Sequence, residues 1–189
     1  MTEDRMDELL ERLAYLEDRQ AILDVVVRHA RGHDRHDVAL MNSCFWDDGV
    51  DEHGQFVTPG PEYGDWANAA HSGGYALHNH NIANHSCEID GDVAHAETYV
   101  MGAFLLRHAP GQARVTCGRY IDRLERRNGE WRIAVRRTVI DVEVEGPSKW
   151  PEGPVPGTFP KGTWETNDLS YARPLELDTP ADRWDGSTH

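Results

Sequence analysis

The chain has 189 residues, enough for one domain with an extension and for a sizeable core. Lys and Arg number 19 and Asp and Glu number 33, and the resulting formal charge of −14 argues against nucleic acid and anionic membranes as partners. No apolar run approaches the ~20 residues that span a bilayer, and the N-terminus lacks the basic-then-apolar pattern of a secretion signal. Cys44, Cys87 and Cys117 are far apart and form no C-x-x-C pattern, as expected of reduced thiols in a soluble cytoplasmic protein. Histidine is the outlier, with 11 copies.

Residues 3–31 predict helix in two pieces. Met6, Leu9, Leu13 and Leu16 form one apolar stripe, and Ile22, Val25, Val26 and His29 share a face further on. Asp18 is placed to cap the second piece, and Gly32 to end it. Asp37 can cap a short helix over Val38–Phe45. Asp47-Asp48-Gly49 predicts a turn, residues 50–56 a short strand broken near Gly54, and Pro61 the first turn of a helix closed by Ser72-Gly73-Gly74.

Four long β segments follow, over 75–89, 93–107, 113–127 and 130–144. Asp90-Gly91-Asp92 and Asn128-Gly129 between β-rich runs are hairpin signals, so the segments form an antiparallel meander. Helices first and strands later predict an α+β class, with central Gly102 and Gly118 permitting strong curvature. Residues 1–145 read as the domain. Residues 146–189 hold seven of the ten prolines and three of the six tryptophans, and read as an irregular arm packed on the domain or on a neighbouring subunit.

No dinucleotide, P-loop or nucleophile-elbow motif is present, so neither redox cofactor nor phosphoryl transfer is expected. His78-Asn79-His80 puts two imidazoles on one face of a strand, and His33 and His36 flank aspartates. Without a completing ligand motif, neither pair predicts a bound metal. The chemistry left is acid–base work by a histidine and an aspartate that meet in space.

Four stretches carry a resemblance. They are Arg19–Asp24 continuing to Arg28–Asp37; Asp47–Asp51 with Gly54; His80–Asn84 with Glu88–Ala94 and Glu97–Tyr99; and Gly118–Glu125 with Gly129–Ile133 and Arg136. In order and spacing they resemble the SnoaL-like group of the nuclear transport factor 2-like superfamily over residues 10–145. That group includes scytalone dehydratase, bile-acid 7α-dehydratase, hexachlorocyclohexane dehydrochlorinase and polyketide cyclases. The resemblance implies a cone-shaped, cystatin-like α+β barrel, a curved antiparallel sheet packed on N-terminal helices. It also implies a cofactor-independent lyase, most simply a dehydratase, acting on a hydroxylated cyclic or aromatic molecule.

Matched to the family pattern, His80 is the base and Asp34 its partner, with Asn84 four residues beyond the histidine. Arg136 and His29 are the matched donors to developing negative charge, and His29 stands where the family often has Tyr or Lys. Asp51, His78, Asn84 and Trp46 are candidate substrate contacts. The alternatives are a formaldehyde-releasing carbon–carbon lyase on lignin-derived diaryl propanoids, a ketosteroid-type isomerase or polyketide cyclase, and a non-catalytic small-molecule binding protein. The family also implies a homo-oligomer, a trimer before a dimer.

Overall fold

The computed structural model describes residues 3–150 and 155–184. Its elements are α1 (Glu3–Arg35), α2 (Val38–Asn42), β1 (Phe45–His53), β2 (Phe56–Pro59), α3 (Tyr63–Gly74), β3 (Tyr75–Asp90), β4 (Val93–Leu106), β5 (Gln112–Arg127) and β6 (Glu130–Pro147). The six strands form one sheet in the order β2-β1-β6-β5-β4-β3, and α1 packs on β3 and β6. The class is the expected α+β. The sheet is open and mixed, because β1 joins parallel to β6 while β3 to β6 form the antiparallel meander.

Local turn chemistry explains the meander. Asn128 and Gly129 both take positive φ, 54° and 81°, as a two-residue type I′ hairpin turn requires. Gly91, at φ 58°, turns the β3–β4 hairpin. The predicted turn at Asp47–Gly49 is instead inside β1, where the pairing with β6 shifts register between Phe45 and Val50.

The first helix differs most from expectation. It runs unbroken for 33 residues through Gly32. Asp18 caps nothing: its carboxylate accepts from Trp131 Nε1 at 2.8 Å and Arg126 Nη1 at 2.9 Å, tying the middle of α1 to the β5–β6 hairpin. Gly32 serves close packing, since a Cβ there would stand 2.7 Å from Met41 Cγ on α2. The stop falls at His36, φ 53°, where His36 N–H donates to His33 O and Asp37 N–H to Gly32 O. These two bonds make a Schellman motif with histidine in the position usually given to glycine. Asp37 then caps α2 by accepting from Leu40 N–H at 2.9 Å.

Ile22, Val25, Val26 and His29 are buried as their shared face predicts, at 0–2% exposure. The stripe Met6, Leu9, Leu13 and Leu16 is uncovered, at 40–60% exposure. Cys44 and Cys87 are buried and Cys117 is partly so, all as free thiols. Among the described residues no helix is long and apolar enough to cross a membrane.

Residues 155–184 return to the C-terminal end of α1. Asp168 pairs with Arg35 at 3.1 Å, Tyr171 O–H donates to Asp37, and Trp164 stacks on the His36 ring at 3.8 Å between centroids. The arm therefore braces the turn that ends α1. Pro151 and Pro154 of the expected arm lie outside the described residues.

Gly32→Val tests the close approach of α1 and α2. It forces branched carbons against Met41 and is expected to lower the unfolding free energy by about 1–3 kcal/mol in urea titration. An unchanged midpoint would show that the space is there.

Candidate active site

The end of α1 and the start of β3 meet through one carboxylate. Asp34 Oδ1 lies 2.8 Å from His80 Nδ1, and Asp34 Oδ2 accepts the His80 backbone N–H at 3.0 Å. Gripped at ring and backbone, His80 has one orientation. The carboxylate accepts only, so Nδ1 carries the proton and Nε2 is left with its lone pair. Asp34 is 9% exposed, and the His80 side chain likewise 9%.

His80 lines a cavity of about 200 Å³ on the inner face of the sheet. Tyr75, Phe104 and Tyr120 supply aromatic walls, and His53, His71 and Thr138 supply polar groups. The size lies below the roughly 300–1,000 Å³ of common ligand pockets, which suits a single ring better than a polycycle. Gly102 and Gly118 also face the cavity, and a Cβ on Gly102 would strike the Phe104 ring at 2.5 Å.

A model of the SnoaL-like domain matches residues 14–137. The chain belongs to the SnoaL-like family. Its solved structural neighbours include LinA, with 24% identity, a TM-score of 0.67, and 72% of this chain and 93% of that chain covered. The hexachlorocyclohexane dehydrochlorinase LinA-type3 from Novosphingobium barchaimii has 22% identity, a TM-score of 0.66 and coverage of 71% and 94%. A protein of unknown function with a cystatin-like fold from Nostoc punctiforme has 20% identity, a TM-score of 0.54 and coverage of 66% and 91%. These likenesses are of fold. No curated protein matches the sequence.

The SnoaL-like fold distributes the other candidates unevenly. Arg136 is fully buried and engaged on every side. Its Nε and Nη2 donate to Asp122 at 2.8 and 2.6 Å, its Nη1 donates to His29 Nδ1 at 2.9 Å, and its guanidinium lies 4.1 Å over the Tyr120 ring. Burial disfavours its charge, but the Asp122 carboxylate more than offsets this and holds the guanidinium protonated. Arg136 and His29 thus stand beside Tyr120 and do not line the cavity, although His29 Nε2 has no hydrogen-bond partner among the described residues. Asp51 is 1% exposed, has no hydrogen-bond partner among the described residues and sits 3.6 Å from His53 Nδ1, behind the cavity wall. His78 is buried and its Nε2 donates to His33 O at 3.0 Å.

Asn84 and Trp46 stand outside the cavity. Simple alternation puts Asn84 on the face of His80, but β3 shifts register between Ile82 and His85 and turns Asn84 to solvent. Trp46 faces away from buried Phe45, lies between Arg127 and Arg132, and donates Nε1–H to Glu125 O. The period-2 run Thr116, Gly118, Tyr120, Asp122 on β5 held the signal for two residues not singled out in the sequence, Tyr120 and Asp122.

Around the dyad the histidines are held neutral. Burial, then neighbouring imidazoles, lowers His71 to about 2 and His78 to about 4. Burial, then Arg136, lowers His29 well below its usual range, and burial, then His80, does the same to His33. Burial raises the Tyr120 phenol, which keeps its proton at neutral pH.

These depressed values link stability to acid. Below about pH 6.5 the unfolded chain protonates these histidines while the fold does not, so stability falls as pH falls. From pH 7 to pH 5 His71 and His78 are each expected to remove about 2 kcal/mol of unfolding free energy, with little change from pH 7 to 8.5. Urea titrations across that range check this, and a flat profile from pH 7 to 5 would contradict it.

Proposed function

We propose that this SnoaL-like protein is a cofactor-independent lyase that eliminates water from a hydroxylated cyclic or aromatic molecule. The observation that carries the reading is the Asp34–His80 pair at 2.8 Å, with the free face of His80 turned to an aromatic-walled cavity. The names of its LinA neighbours, one a dehydrochlorinase, support an elimination.

His80 Nε2 takes a proton from the carbon beside the one that bears oxygen. Asp34 holds the ring and stabilises the imidazolium that forms. The C–H electron pair becomes the double bond as the C–O bond breaks. The departing hydroxide takes a proton from the imidazolium, so the products are an alkene or arene, water and neutral His80. Tyr120, still protonated, is the donor placed on the cavity wall to steady charge on oxygen. Arg136, His29 and Asp122 position Tyr120. In the same reading the exposed row on α1, with Ile140, Val142 and Val144 on β6, is covered in a homo-oligomer, a trimer.

Incubation with hydroxylated single-ring compounds, followed by mass spectrometry, tests the reaction. Loss of water is expected. His80→Ala should lower turnover about 10²–10⁴-fold, and Asp34→Asn about 10²-fold with the fold retained. Loss of formaldehyde would move the reaction to carbon–carbon cleavage with the same base. Near-normal turnover in both variants would remove the dyad.

A further inference from the structure

His78 has no role in the elimination, yet it is 94% buried, and among the described residues its Nδ1 has no hydrogen-bond partner. Its Nε2–H is spent on the His33 carbonyl, so Nδ1 carries a lone pair. One nitrogen of His78, one of His80 and one oxygen of Asp34 all lie within 4.8 Å of one another. His78 and His80 come from the same face of β3, and Asp34 from the last turn of α1.

We propose that Asp34, His78 and His80 form a binding site for one divalent transition-metal ion of the zinc class, and that the bound ion blocks the elimination. Two imidazoles and one carboxylate suit zinc, cobalt, nickel or copper rather than magnesium or calcium, which favour all-oxygen shells. The His33 carbonyl bond fixes both the tautomer and the orientation of His78, as the outer partners of metal-bound histidines commonly do. Water from the cavity lined by His80 can fill the remaining positions. His78 also lines a second cavity, of about 370 Å³, with Arg35, Asn79 and Trp184, so the site is approached from two sides.

The blocking role rests on the proposed elimination. An ion that draws lone pairs from Asp34 and His80 competes with their mutual hydrogen bond and with the substrate proton for the base. The metal is then an inhibitor of this site rather than its reagent.

The full chain, stripped with a chelator, is titrated with Co²⁺ followed by its visible absorption, and with Zn²⁺ in competition with a chromogenic chelator. One ion per chain is expected. His78→Ala, and as a volume-keeping second variant His78→Phe, should each weaken binding about 10–100-fold with unchanged circular dichroism. Sub-stoichiometric binding in wild type, or equal affinity in both variants, would overturn the site and leave the dyad reading standing. On substrate, the stripped protein should turn over, slow at least about tenfold with saturating Zn²⁺, and recover on chelation. Turnover unchanged at saturating Zn²⁺ would overturn the blocking role. Turnover that requires the ion would overturn both that role and the metal-free dyad.

Discussion

Asp34 ties the C-terminus of the long helix to the first long strand by holding His80 twice, at the ring and at the backbone. The surrounding structure serves that grip. The left-handed His36 ends α1 one turn beyond Gly32, which leaves Asp34 inside the helix and facing β3. Met41 presses on Gly32 from below, and the arm adds Trp164 against His36 and Asp168 against Arg35. Each contact removes freedom from the segment that carries the carboxylate. A base held in one orientation loses less entropy on reaching its transition state, which is the physical gain from such bracing.

The second constraint is electrical. Burial disfavours the charged imidazole, and within the inner cluster it is His80 whose ring is hydrogen-bonded to Asp34. His29, His33, His71 and His78 surround the pair as neutral rings. Their lone pairs and N–H groups are sorted by fixed partners: His29 accepts from Arg136, and His78 donates to the His33 carbonyl. The abundance of histidine thus reduces to one candidate base and a shell of polar, uncharged neighbours. The net negative charge has no such local role, since many of the surface carboxylates are paired with arginines such as Arg119 and Arg127.

What was legible in the sequence was what is local. Asn128-Gly129 and Asp90-Gly91 mark their hairpins because the turn needs positive φ there and nowhere else nearby. The buried face of Ile22 to His29 follows from helical spacing alone. Asp34 and His80, 46 positions apart, are marked by the family resemblance alone, since no local pattern announces them. The misreadings have non-local causes. Gly32 looked like a stop because Met41, which needs its missing side chain, comes from another helix. The engagement of Arg136 is hidden in the sequence because Asp122, its direct partner on the neighbouring strand, stands 14 positions away. Asn84 looked inward because the register shift that turns it out depends on pairing with β4.

The central claim is that neutral His80 carries its proton on Nδ1, donated to Asp34, and keeps Nε2 free for the substrate. Long-range proton–nitrogen NMR on imidazole-labelled protein at pH 7.5 reads this directly, with His80→Gln used to assign the resonance. The account predicts a single Nδ1–H tautomer for His80 in wild type and a mixed or reversed tautomer in Asp34→Asn. An Nε2–H tautomer in wild type would contradict it.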